Sequence, residues 1–135
     1  MYTNVSEKFK KEISKSSRTF KSRIKINGKW YTNIKSITLT QASCDEDNIT
    51  IGSAVSSYIE VTMKDIAELF ENTEVELQQG LVFSDCSIEY ITMGYYTAQR
   101  PQEDNGYIKF TAYDRMQRFE KVYTSKLTFP ATAQQ

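Results

Sequence analysis

The chain has 135 residues, 39% of them hydrophobic and 25% charged, with 17 basic and 17 acidic side chains, and that length fits one domain with a core of its own. The apolar content excludes disorder, no apolar run nears the roughly 20 residues of a membrane helix, and the polar, basic opening resembles no secretory leader, so a soluble protein made in the cytoplasm is expected. The absence of histidine excludes Ser-His-Asp and Cys-His catalysis, His-ligated zinc and His-based pH switching at a stroke.

In chain order, residues 4–16 read as a short helix. Asn4 is placed to cap it, with Glu7 three positions on in a capping-box arrangement. Val5, Phe9 and Ile13 recur every four residues, a stripe narrower than a buried helix shows, so the helix is expected on a surface or docked onto a partner. From Phe20 the period changes to two. Phe20, Ile24 and Ile26 alternate with Lys21, Arg23 and Lys25, as in a half-buried strand with a basic outer face. Asn27-Gly28 is a strong hairpin signal, because both turn residues must take positive φ. Lys29, Trp30 and Tyr31 open the return strand, and a break near Asn33 precedes the alternating Ile37 and Leu39.

Cys44 to Asn48 reads as an acidic loop and Ile49 to Ile51 as a short strand. Ser57 to Lys64 gives the cleanest alternation, with Ile59, Val61 and Met63 inward. Asp65 is placed to cap one helical turn carrying Ile66, Leu69 and Phe70. Val75, Leu77, Leu81 and Phe83 alternate, with Gly80 read as a bend or bulge. A turn at Asp85 leads to Ile88, Tyr90 and the run Met93 to Thr97. Residues 100–106 read as a polar loop ending in a second hairpin signal, Asn105-Gly106. Ile108, Phe110 and Ala112 form the last strong strand, and Asp114 caps a short helix with Gln117, Met116 and Phe119.

Strands this short and regularly spaced predict a mainly β fold, an antiparallel β-barrel or sandwich with an N-terminal helix and one or two short helices. The division is a helix over 1–17, a β domain over 18–123 and an extended tail over 124–135. The expected core is Phe20, Ile24, Ile26, Ile37, Leu39, Ile59, Val61, Met63, Val75, Leu77, Ile108 and Phe110.

Candidate chemistry is sparse. Cys44 and Cys86 are too few for a metal cluster and read as reduced thiols near the core rather than a disulfide. Asp45, Glu46 and Asp47 lack calcium-loop spacing, and the five scattered glycines make no phosphate loop. No catalytic set, cofactor or metal is therefore expected. Glu60, Glu74, Glu76 and Glu89 could supply glycosidase carboxylates, but they alternate with inward apolar residues and read as outward-facing charges. Residues 1–30 carry nine basic side chains against two acidic ones, a balance of +7 that the remainder offsets with −7. Nucleic acid is one partner for that basic end, although none is required; a solvated basic face beside its own acidic complement is the alternative. Nine tyrosines suit protein interfaces and sugar binding, and adjacent Tyr95 and Tyr96 must face opposite sides of a strand.

Several strings resemble one family: Thr50–Val61 (TIGSAVSSYIEV), Met93–Thr97 (MGYYT), Thr111–Met116 (TAYDRM) with Phe119–Lys121, Leu127–Thr132 (LTFPAT) and the opening Val5–Lys11 (VSEKFKK). Together they are similar to the N-terminal region of tail-tip hub proteins from phages and prophages of Gram-positive bacteria, also called tail-associated lysins or prophage endopeptidase tail proteins. The resemblance implies a tail-tube-like β-barrel hub domain over 18–123. It also implies a trimeric or larger ring closing the tail tube, with other tail proteins as partners. The implied location is the virion tail tip, after synthesis and assembly in the bacterial cytoplasm. Family members usually continue further and sometimes carry a cell-wall hydrolase beyond this length. The candidate interface is Val5, Phe9, Ile13, Lys10, Lys11, Tyr95 and Tyr96. The competing function is a carbohydrate-binding, host-recognition module using Tyr95, Tyr96 or Trp30, and a carboxylate-based peptidoglycan hydrolase is a third.

Overall fold

The computed structural model describes residues 5–41, 56–64 and 71–120. The expectations for 42–55, for the turn after Asp65 and for the tail over 124–135 lie outside them. One helix, α1 (Glu7–Ile13), precedes eight strands: β1 (Thr19–Ile26), β2 (Lys29–Tyr31), β3 (Ile34–Thr40), β4 (Tyr58–Met63), β5 (Glu74–Val82), β6 (Ile88–Ala98), β7 (Gln102–Asp104) and β8 (Tyr107–Tyr113). A six-residue 3-10 helix, Arg115–Glu120, follows, entered through Asp114, whose Oδ1 accepts from the Met116 amide. The fold is mainly β, as expected.

All eight strands belong to one antiparallel sheet ordered β2-β1-β5-β6-β8-β4-β3, with β7 paired to β8. Both hairpin signals hold. Asn27 and Gly28 take φ of 49° and 81°, and Asn105 and Gly106 take 50° and 74°, the paired positive values a two-residue hairpin needs. The segment read as a polar loop after Arg100 contains β7, whose three exposed residues carry no alternation to reveal a strand.

The sheet is not closed into a barrel. Its long half (β2-β1-β5-β6) and its short half (β8-β4-β3) are joined at β6 and β8 by only two Cα pairs, Thr97 with Tyr113 and Ala98 with Ala112. Both halves nevertheless contribute to one core: Ile24, Ile26, Val75, Leu77, Tyr96 and Ala98 from the first, and Ile59, Val61, Met63, Phe110 and Ala112 from the second. Ile37, Leu39 and Ile108 pack against it. Phe20 is a correction, because it lies 45% exposed. Its ladder partner Leu81 lies under α1, but the cluster that buries Leu81 does not take in Phe20 on the neighbouring strand. The bulges also differ from expectation. Gly80 sits in regular ladder, whereas the register shifts opposite Leu77/Gln78 and between Ile34 and Ser36.

α1 covers the far end of β5 and β6. Its cap is Ser6 rather than Asn4, the Ser6 hydroxyl accepting from the Phe9 amide at 3.0 Å. Phe9 buries against Leu81 and Phe83, meeting the Phe83 ring edge-on at 6.5 Å, with Val5, Ile13 and Ile91 around them. The narrow stripe thus finds its partner within the chain.

Candidate functional site

The face of β1 and β5 opposite the core is built from the intervening residues. Lys21, Arg23 and Lys25 stand beside Gly80, Gln78 and Glu76, and β6 adds Tyr90, Thr92 and Tyr95. The tight hairpin sets Trp30 beside Lys25, within reach of Arg23. The Arg23 guanidinium lies 4.0 Å from the Trp30 ring centroid and 3.6 Å from that of Tyr90. Its Nε and Nη2 both donate to Gln78 Oε1, at 2.9 and 2.7 Å. Gln78 Nε2 donates in turn to Glu76 Oε1 and Thr92 Oγ1, and Thr92 donates to Glu76. A planar cation between two rings, with its N–H edge on an amide oxygen, uses what arginine offers and lysine does not. Sequence reading missed this stack, although a two-residue hairpin already places Trp30 diagonal to Arg23.

Beside this face the sheet is open. β2 pairs only with Ile24 to Ile26 of β1, so among the described residues Thr19–Arg23 has no strand on that side. The chain then turns at Thr32 and Asn33 and continues as β3, which among the described strands pairs with β4 alone. A wedge therefore opens between the first half of β1 and β3. It is a cleft of about 540 Å³ lined by Lys21 and Ser22 on one side and by Ile34, Lys35 and Ile37 on the other, with Thr32 at its apex and Tyr90 beside it.

A second depression, about 490 Å³, lies beside the β1–β2 turn and is lined by Lys25, Glu74, Glu76 and Tyr95 with the turn residues. Tyr95 is 41% exposed there, and the Arg115 guanidinium lies 5.9 Å from its ring. Tyr96, its neighbour, is 3% exposed within the core. Burial and then the Asp114 charge push its phenol above the usual tyrosine range. The alternation rule thus holds, but Tyr96 is corrected from an interface candidate to a core residue. Trp30 is half-buried and its ring carries Arg23 and Lys25.

The remaining candidates divide likewise. Phe9 is buried, and Val5 and Ile13 are partly buried against the same cluster, so the stripe is not an exposed docking surface. Lys10 and Lys11 are exposed, Lys10 pairing with Glu7 at 2.6 Å. Part of the basic excess meets acidic complement in the same chain, Lys8 contacting Asp85 at 2.6 Å; beside it the uncharged Ser6 hydroxyl donates to Glu89. Glu89 is opposite Leu81, on the face covered by the helix, not on the outward face expected from alternation. Cys86 is a free, exposed thiol in the β5–β6 turn rather than near the core.

Three of the four carboxylates weighed for hydrolysis are engaged structurally. Glu74 pairs with Arg115 at 3.0 Å, Glu76 accepts from Gln78 and Thr92, and Glu89 accepts from Ser6. No His, Cys, Asp and Glu group that could hold a metal occurs among the described residues, and no described helix is long and apolar enough to cross a membrane. Comparison of the chain with known protein families, characterised proteins and solved structures returns no match.

Proposed function

We propose that the chain is a non-enzymatic structural module of a phage or phage-like tail tip, assembling with other tail proteins into a ring at the end of the tail tube. What supports this reading most is where the family-like strings fall. Tyr58–Val61, Met93–Thr97 and Thr111–Tyr113 lie on β4, β6 and β8, consecutive neighbours in the sheet, so they compose one continuous structural unit. Their inward residues, Ile59, Val61, Tyr96 and Ala112, are core. Strings of this kind encode a scaffold, and a scaffold with free strand edges suits assembly into larger sheets and rings.

Electron microscopy of the chain co-expressed with tail-tube and distal-tail proteins tests the proposal. Closed rings containing the chain are the expected result; a monodisperse monomer with every tail partner contradicts it. The carbohydrate-binding alternative keeps one specific support, the exposed Tyr95 ring beside Glu74, Glu76 and Lys25, since sugar recognition pairs an aromatic face with polar side chains. Saturable glycan binding that disappears in Tyr95→Ala would favour it over the structural reading.

A further inference from the structure

We infer that the wedge between β1 and β3 is a docking site for an extended partner segment alternating apolar and acidic residues, which adds a strand to the open edge. The inference stands independently of the tail-tip reading. Among the described residues, Thr19–Arg23 has an unpaired backbone edge and β3 has another, and both border one cleft. Such edges template strand addition, in which main-chain hydrogen bonds supply affinity and alternate side chains supply selectivity.

The walls dictate the pattern. Toward the core lie Ile34 and Ile37, which only partly bury themselves, with Ser22 across the cleft from them. A strand entering here covers both isoleucines with its apolar side chains. Toward the outer face lie Lys21 and Lys35. Neither Lys21 nor Lys35 has an ion-pair partner among the described residues, and Lys35 lies 4.3 Å from the centroid of the Tyr107 ring. Acidic side chains on the strand's other face would meet these two cations. Charge complementarity at a partly desolvated edge sets orientation and rejects the opposite pattern.

The probe is the capped hexapeptide Val-Glu-Val-Glu-Val-Glu, with Val-Lys-Val-Lys-Val-Lys as its counterpart, each titrated into the full chain while backbone amide exchange is followed by NMR. The acidic peptide is expected to protect amides of residues 19–23 and 34–37 and to bind at least about tenfold more tightly than the basic one. In K21E/K35E, two changes at exposed positions, the preference reverses. Equal binding of both peptides, or no added protection at 19–23, overturns the proposal. So does full protection of those amides in the free chain: if independent of concentration, the chain's own residues fill the wedge, and if lost on dilution, a second copy does. Should K21E/K35E fail to fold, the two-peptide comparison on the unaltered chain decides alone.

Discussion

At the scale of single residues, close approach rather than backbone conformation explains the most demanding glycine. Gly80 lies within regular ladder, yet a Cβ there would stand 2.6 Å from Ile88 Cγ2 and 2.7 Å from the Tyr90 ring. The missing side chain lets Tyr90 lie across β5 and reach Arg23, so Gly80, Tyr90, Arg23 and Trp30 form one interdependent arrangement. Gly80→Ala should therefore lower stability by about 1–3 kcal/mol, the usual cost of forcing extra volume into a packed site, as measured by urea denaturation. In a Tyr90→Ala background the same change should cost less, because one of the two obstructing groups is gone. Equal costs in both backgrounds would show that Tyr90 can move aside freely and that the stack imposes no constraint on position 80.

At the scale of elements, α1 is held by a small apolar cluster and a ring of exposed polar contacts, and the two should separate under acid. Asp85 is held well below the ordinary aspartate value, first by its hydrogen bond from Lys8 and then by Ser87. Glu12 is lowered first by Lys15 and then by Ser84, and Glu89 by the Ser6 hydroxyl and amide. Each folded-state value lies below its unfolded one. The contribution is thus complete above the unfolded values of 3.8 for aspartate and 4.5 for glutamate, and is lost as pH falls through the lower folded values. Amide chemical shifts of α1 should therefore move toward unfolded positions during acid titration before those of β5 residues Val75 and Leu77. Simultaneous movement would mean the carboxylates do not hold the helix. Phe9→Ala should destabilise the helix and its contacts by about 3 kcal/mol, and Ser6→Ala by about 1 kcal/mol, whereas Lys10→Ala and Lys11→Ala should stay within about 0.5 kcal/mol.

The same elements show what was legible beforehand and what was not. Alternation identified the faces of β1, β4, β5 and β8 correctly because period-two patterning records which side is covered. It could not record how far the covering layer extends, and for that reason Phe20 was misplaced. The Val5, Phe9 and Ile13 stripe announced a docking helix, but the surface receiving it, Leu81 and Phe83, lies some 70 residues away and is joined only by folding. Tyr95 and Tyr96 were separable in principle but not assignable, since only the pairing of Val75 with Tyr96 settles which one faces the core. The wedge was invisible for a similar reason. It arises because one short stretch, Lys29–Thr40, divides its pairing between β1 and β4, which no local pattern encodes.

At the scale of the whole molecule, the two halves of the sheet are bound by side chains far more than by ladder. Only two Cα pairs join β6 to β8, yet the core draws six buried residues from one half and five from the other. Apart from the small cluster under α1, each half has only the other as an apolar layer, so neither should survive unfolding of the other. Trp30, the single tryptophan, sits on the long half and reports its state, while far-UV circular dichroism reports the whole sheet. Urea transitions followed by the two signals should coincide, as a cooperative two-state unit requires. Ala98 and Ala112, both fully buried, pair where the halves meet, so any volume added there enters packed core. Ala98→Leu should push the halves apart, lowering the shared midpoint by an amount equivalent to about 1–3 kcal/mol and moving both signals together. A Trp30 transition preceding the circular dichroism transition in the unaltered chain would show that the long half loosens independently. The wedge would then be bounded by a mobile edge, whereas coincidence makes it a preformed gap between two walls held by one core.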